Sequence, residues 1–437
     1  MSLTRRQALG ALAGASLTAQ TRRPNMVILF ADDMGWGDVG FNGRKEWTTP
    51  NLDRLAAQGT VFDRWYTAFP VCAPSRASLL TGRYTIHHGV RSNGPDLAAS
   101  EVTIAEALKQ LGYRTALIGK WHRGGGGRGT AGTFVHPLDQ GFDYTFGYLD
   151  ALHAWEHFPK TLFRGRDEVP VTGYSSDILA DEAIRFIGEN KANPFLLYVP
   201  FIEPHFHVEA PEEDVALFKG KFKEKDPSQP TNARYAAMVH RLDKSIGRIL
   251  AALDRNGLTN DTVVVFTSDN GATFETGNKG ASNHHDSNRP HRGQKRSLEE
   301  GGIREPGIVR WPGKIAGGKR SQVSVHNIDL LPTLMAVAGG KPDPAWQVDG
   351  VNMLDVWTGK APAPDRTLFW ELENQSGWTM YAAMRGDFKL LQLGPNRFLY
   401  NVATDRGERR TLGAEYPEIM KQLMGELQAW LKTARTL

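Results

Sequence analysis

The chain has 437 residues, 40% hydrophobic and 23% charged, with a formal net charge of +4. That length supports a large core and two or three structural units, and the composition is ordinary for a soluble globular protein. The basic residues are scattered rather than clustered, which argues against a nucleic-acid partner, and one cysteine in the whole chain excludes an intramolecular disulfide. At the start, Thr4-Arg5-Arg6-Gln7-Ala8-Leu9-Gly10 reads as a twin-arginine export signal over residues 1–23. Its apolar run, residues 8–19, is too short to span a bilayer, and no later run is longer. The expectation is passage through the twin-arginine machinery to a bacterial periplasm or exterior, without stable membrane insertion.

Four apolar, β-branched runs follow, each ending in chemically active side chains. Val27-Ile28-Leu29-Phe30-Ala31 leads into Asp32-Asp33, and Thr115-Ala116-Leu117-Ile118-Gly119 into Lys120-Trp121-His122. Phe195-Leu196-Leu197-Tyr198-Val199 runs on to Glu203-Pro204-His205, and Thr262-Val263-Val264-Val265-Phe266 to Ser268-Asp269-Asn270. Continuous apolar runs of this length fit strands covered on both faces, as in a parallel sheet. Helical patterns lie between them. Ile104, Leu108 and Leu111 share one face, as do Ile178, Ile184 and Ile187; residues 233–256 bring Met238, Leu242, Ile246, Ile249 and Leu253 inward, and Gly257 closes the helix. The alternation predicts an α/β fold, whose ligands bind beyond the carboxyl ends of the strands.

Residues 271–296 are rich in Gly, Asn and His and predict a long irregular loop of the functional kind. The texture then changes after a Pro-rich stretch at residues 361–365. Thr367-Leu368-Phe369-Trp370, Tyr381-Ala382-Ala383-Met384, Phe388-Lys389-Leu390-Leu391 and Phe398-Leu399-Tyr400 predict an antiparallel sheet, followed by a helix over residues 417–431. The expected organisation is a main domain over residues 24–362 and a smaller subdomain over residues 363–437.

Cys72 sits two residues before Pro74, which suits the first turn of a helix. A helix over residues 75–80 would place Cys72 just before its start, where free N–H groups and the dipole favour an anion. Asp32 and Asp33 cannot face the same way on a regular strand, but Gly35 and Gly37 suggest a break that lets them converge. Together with Asp269 and Asn270 they form an all-oxygen set suited to Ca²⁺ or Mg²⁺ rather than zinc.

Cys72-Ala73-Pro74-Ser75-Arg76-Ala77-Ser78-Leu79-Leu80-Thr81-Gly82-Arg83 resembles the signature of the type I, formylglycine-dependent sulfatases of the alkaline phosphatase superfamily. Thr49-Pro50-Asn51-Leu52-Asp53, Gly119-Lys120-Trp121-His122, the segment from Gly293 to Pro306, His326-Asn327-Ile328-Asp329 and Asp349-Gly350 are similar to further landmarks of that family. The resemblance implies an alkaline-phosphatase-like mixed, mainly parallel sheet flanked by helices, with a smaller C-terminal antiparallel sheet plus helix. It implies that a formylglycine-generating enzyme oxidises Cys72 to formylglycine. It further implies one divalent ion, calcium or else magnesium, held by Asp32, Asp33, Asp269 and Asn270 with the modified Cys72.

By the same resemblance Arg76 supports the site, Lys120 contacts sulfate and His122 assists the formylglycine hydroxyl. His205 stands near the leaving-group oxygen, and Lys295 meets both sulfate and that oxygen. The family often carries a proline two residues after the histidine, where this chain has His207. Glu300, Arg304 and Pro306 read as structural supports. Trp155, His153, His157 and residues 271–296 are candidates to line a sugar cleft. The implied activity is hydrolysis of the sulfate ester of a small aryl compound or saccharide. Two other readings fit the same residues: a phosphate or phosphonate ester hydrolase of that superfamily, and a non-catalytic anion- or glycan-binding protein with Cys72 unconverted.

Overall fold

The computed structural model describes residues 23–122, 135–373 and 379–434; the twin-arginine segment lies outside the described residues. In chain order the main strands are β1 (Asn25–Ala31), β2 (Thr60–Tyr66), β3 (Arg114–Lys120), β4 (Tyr144–Tyr148), β5 (Thr161–Arg164) and β6 (Asp167–Pro170). They continue with β7 (Phe195–Pro200), β8 (Thr262–Ser268), β9 (Arg304–Glu305), β10 (Ile308–Arg310) and β11 (Lys319–His326). The sheet runs β11-β2-β10-β8-β1-β7-β3-β4-β5-β6, with β9 paired to β2. The four predicted runs are its adjacent parallel centre, β8-β1-β7-β3. Antiparallel pairing is confined to β10, β9 and the β4-β5-β6 end, so the sheet is mixed and mainly parallel, as expected.

The central strands are covered on both sides, which explains their unbroken apolar runs. From β1, Val27, Leu29 and Ala31 enter one core with the helices Ser175–Asn190 and Thr231–Arg255. Met26, Ile28 and Phe30 enter the opposite core with the helices Ile104–Gln110 and Leu330–Val337. The five residues read as the inner face of the long helix, from Met238 to Leu253, are all fully buried. Gly257 ends it with a φ of 68°.

A second, antiparallel sheet contains β12 (Thr367–Glu373), β13 (Thr379–Arg385), β14 (Phe388–Leu393) and β15 (Asn396–Asn401). The helix Pro417–Leu431 has the predicted bounds. One sheet face packs Trp370, Met384 and Leu391 on Tyr66, Phe69, Val71 and Ile303. The other packs Ala383, Leu390 and Leu399 on Leu423, Leu427 and Trp430 of that helix. Polar bonds also tie the two sheets. Trp370 Nε1 donates to Thr67 O at 2.7 Å, and buried Lys389 reaches Glu300 at 2.9 Å and Glu408 at 3.0 Å. Glu300 also accepts from Arg304 at 3.0 Å and from the Tyr66 hydroxyl at 2.9 Å.

Glu300→Ala therefore deprives buried Arg304 of its carboxylate, leaves buried Lys389 with Glu408 alone and removes the acceptor of the Tyr66 hydroxyl. It is expected to lower the unfolding free energy by about 3–5 kcal/mol, the usual effect of removing one partner from a buried pair. Urea denaturation checks this, and an unchanged midpoint would show that the network does not hold the sheets together.

Candidate active site

Asp32 follows directly on β1, and Asp33 takes a left-handed φ of 59°. This turn breaks the strand alternation and lets both carboxylates reach the same side. Gly35 serves a different purpose from the one expected of it. A Cβ there would stand 2.2 Å from Ser287 O, so glycine permits close packing of the loop rather than the convergence of the acids. Gly119, at the end of β3, is similar: a Cβ would lie 2.0 Å from Pro200 O on β7.

The helix that carries the cysteine begins at Cys72 itself and runs to Thr81, with Val71 as its cap; the expected position just outside the helix is thus one residue off. Pro74 still falls in the first turn, where no N–H has an intrahelical acceptor. Cys72 is 1% exposed. Its Sγ lies 3.5 Å from Asp32 Oδ1 and 3.9 Å from Asp33 Oδ1. One turn along, fully buried Arg76 places Nε and Nη2 on Asp269 Oδ2 at 3.2 and 2.7 Å. Its Nη2 is also 3.4 Å from Asp32 Oδ2, and Nη1 donates to Lys120 O at 3.3 Å.

Cations flank the carboxylates. Lys120 Nζ donates to Asp32 Oδ2 at 2.5 Å from the end of β3. Lys295 Nζ, from the irregular segment after β8, reaches Asp33 Oδ1 at 2.8 Å and Oδ2 at 2.9 Å. His205 Nε2 is 3.6 Å from Asp33 Oδ2, and its Nδ1 is 2.7 Å from Phe206 O. His122 is buried at the same strand end as Lys120, with a φ of 48°. Asp269 Oδ1 accepts from Asp33 N at 3.0 Å, and Asn270 Nδ2 donates to Asp33 Oδ1 at 2.7 Å.

The donor set fits a hard divalent cation. Asp32, Asp33, Cys72 and His205 offer ligand atoms all within 4.8 Å of one another, and Asp269 and Asn270 adjoin them through Asp33. Asn270 Oδ1 is buried with no hydrogen-bond partner among the described residues, as a ligand oxygen would be. Burial is the largest single influence and works to raise Asp32, yet the surrounding positive charges, Lys120 foremost with Arg76 and Lys295, together outweigh it and hold this carboxyl well below its usual range. Burial pushes Asp33 up to about 7, with Asp32 and Asp269 adding to the rise against the opposing charge of Lys295. A cation among these oxygens would reverse that rise. Burial likewise raises the Cys72 thiol and lowers His205, keeping both neutral.

The expected sugar-cleft histidines belong elsewhere. His157 is buried, its Nε2 3.0 Å from His205 O, and so supports the His205 loop. His153 Nε2 is held by Thr161 O at 2.9 Å. Trp155 is half-buried and packs on Phe206 and on exposed His207. Two acids near the cluster escaped the sequence reading. Glu305 in β9 is buried with both carboxylate oxygens lacking a partner among the described residues, and burial, with Asp269 and Asp33, raises it well above its usual range. Glu275 lies 3.4 Å from Lys295. Neither has a local sequence signal, since each gains its significance from distant neighbours.

Residues 24–340 match the Sulfatase family model, and residues 292–433 match the model for the C-terminal region of N-sulphoglucosamine sulphohydrolase. The chain belongs to the sulfatase family. This sulfatase, a sulfate ester hydrolase, is 34% identical over 417 residues to the N-acetylgalactosamine-6-sulfatase of Mus musculus, covering 87% of this chain and 74% of that one. It is 30% identical to the steryl-sulfatase of Homo sapiens, with coverage of 78% and 71%. Among solved structures, Ps i-CgsB in complex with k-i-k-neocarrahexaose superposes with a TM-score of 0.86 at 30% identity, covering 95% of this chain and 94% of that one. The phosphonate monoester hydrolase of Agrobacterium radiobacter shares the fold, with a TM-score of 0.67 at 22% identity and coverage of 94% and 95%.

Arg76→Lys keeps the charge but loses the fork on Asp269. Turnover of a sulfate ester is expected to fall about 10- to 100-fold, the equivalent of a charged hydrogen bond. Steady-state kcat/KM checks this, and an unchanged value would deny the guanidinium a role in the site.

Proposed function

We propose that this sulfatase cleaves sulfate esters of a saccharide through a formylglycine made from Cys72, with one divalent ion, calcium or magnesium, bound by Asp32, Asp33, Asp269, Asn270 and residue 72. The observation that carries the reading is the seating of Cys72 Sγ within 4 Å of two buried carboxylates, each of them ion-paired to a buried lysine. The saccharide class is supported by the relatives, one acting on N-acetylgalactosamine 6-sulfate by its name and another holding a neocarrahexaose.

A hydrated aldehyde at residue 72 would supply one hydroxyl as the nucleophile toward sulfur, with the alcohol as leaving group, and a second hydroxyl whose deprotonation would expel sulfate and restore the aldehyde. A divalent ion held by these residues would supply Lewis-acid polarisation of a sulfate oxygen. The chain's own residues do the rest. Arg76 holds Asp32 and Asp269 in place, so the oxygen set is ordered before substrate arrives. Lys120 and Lys295 stand on opposite carboxylates and present fixed positive charge where the sulfuryl group gathers negative charge. The Phe206 carbonyl fixes the proton of neutral His205 on Nδ1, so Nε2 is the nitrogen left to take up a proton and, as the imidazolium, pass it to the leaving oxygen. His122 assists the hydroxyl of residue 72. Burial of all these groups excludes water. Export by the twin-arginine machinery to the periplasm or exterior, after maturation by a formylglycine-generating enzyme, belongs to the same proposal.

The test uses protein co-produced with a formylglycine-generating enzyme. Mass analysis of the peptide containing residue 72 should show an aldehyde or its hydrate, and Cys72→Ala should abolish turnover without loss of fold. A native, active enzyme with an intact thiol would overturn the mechanism. Sulfate, phosphate and phosphonate esters of one phenol, assayed in parallel, should rank sulfate first. Chelation of divalent ions should suppress turnover, and calcium or magnesium should restore it.

A further inference from the structure

Beside the carboxylate cluster lies a groove of about 1040 Å³, formed between the segment leading into the helix Thr231–Arg255 and the loop after Asn270. Glu275 is the wall it shares with the reaction centre. One carboxylate oxygen is 3.4 Å from Lys295 Nζ and accepts from Thr273 Oγ1 at 3.0 Å, and the other accepts from Arg296 Nε at 2.9 Å. Phe206, next to His205, presses on the same loop so closely that a Cβ at Gly277 would meet its ring at 2.5 Å. The inner end of the groove is therefore the edge of the site.

Three acids and three lysines line it, and the two sets are held differently. Its acids are already engaged. Glu224 accepts from Asn232 N and Ala233 N at 3.0 and 2.8 Å, Asp226 accepts from Ser228, and Glu275 serves Lys295 and Arg296. Lys223, Lys225 and Lys279 line the same groove, all three exposed, and no carboxylate among the described residues pairs with them. Phe274, adjacent to Glu275, leaves 40% of its surface in solvent. An exposed aromatic face beside three ammonium groups that make no ion pair among the described residues matches a sugar ring that carries an anionic substituent. The C–H face of the ring lies on the negative face of the arene, and the anion meets the lysines.

We propose that this groove is a subsite for a second, sulfated sugar residue of the substrate, with Phe274 beneath its ring and Lys223, Lys225 and Lys279 around its sulfate. The proposal rests on the saccharide sulfatase reading above and deepens it: the enzyme acts on oligosaccharides whose residues next to the cleaved ester are also sulfated.

The test compares 4-nitrophenyl sulfate with size-defined di-, tetra- and hexasaccharides from carrageenan and from chondroitin sulfate, using aldehyde-bearing enzyme. The wild type should favour the longer members of the series it accepts. In a Lys223→Ala, Lys225→Ala, Lys279→Ala triple variant, the ratio of oligosaccharide to nitrophenyl sulfate kcat/KM should fall about tenfold or more, through KM. Added salt should lower wild-type oligosaccharide turnover more steeply than that of the triple variant. Phe274→Ala should lower the ratio without changing the salt response. An unchanged ratio overturns the subsite, as does cleavage of nitrophenyl sulfate with no oligosaccharide accepted. Both of those outcomes leave sulfatase chemistry standing. Failure to cleave nitrophenyl sulfate or any saccharide refutes the catalytic reading itself, and the subsite falls with it.

Discussion

Three buried carboxylates crowd around one buried thiol, and no fold tolerates that without positive charge delivered to the same point. Arg76, Lys120 and Lys295 deliver it, each from a different part of the chain. An isolated ion at such a depth would carry a desolvation penalty of several kcal/mol. Each cation therefore depends on the acids as much as they depend on it. The arrangement is also preorganised. The charges that would stabilise a sulfuryl group in transit are locked by one another before any ligand arrives, so little reorganisation is left for the reaction itself.

The sheet makes this convergence geometrically simple. β8, β1, β7 and β3 lie side by side and parallel, so their carboxyl ends share one edge. Asp269 and Asn270, Asp32 and Asp33, His205, and Lys120 and His122 all follow from those ends. The cysteine comes from outside this set, on a helix start carried past the edge by β2. Its first turn lies over Asp32 and Asp33, and Arg76, four residues on, faces the same way. One helix thus contributes both the buried thiol and the cation that orders the acids.

This edge was legible in the sequence because long apolar runs and the residues that end them are local signals. The helix Thr231–Arg255 and the C-terminal meander were equally plain, since their periodicity is uninterrupted. Other strands were not legible. β10 has three residues, too few for any period to show. β11 is an edge strand whose outer residues are exposed and polar. β2 carries Asp63 and Arg64 inside a buried strand, and only their distant partners Arg320, Gln322 and Asp387 make that burial tolerable. In the site, Asp33 was identified but its left-handed turn was not, because nothing in an Asp-Asp pair announces a φ of 59°. His153 and His157 looked like cleft residues because aromatic and histidine side chains cluster there in sequence. Nε2 of each ring faces a backbone carbonyl instead.

The segment around Lys295 shows how irregular chain can be as well positioned as a strand. It has almost no repeating backbone bonds of its own, yet it is pinned along its length. Lys295 N donates to Ala272 O at 3.2 Å and Arg296 N to Pro70 O at 2.9 Å, which ties it to the loop after β8 and to the chain just ahead of Cys72. A few residues later Glu300 enters the buried network with Tyr66, Arg304 and Lys389, and Glu300 N donates to Glu408 at 2.8 Å. The second sheet thereby holds the far end of the segment whose near end presents an ammonium group to Asp33. Its ionic anchor explains why a meander with its own two-sided packing is fused to the main sheet through buried charge as well as apolar contact: the position of Lys295 depends on both.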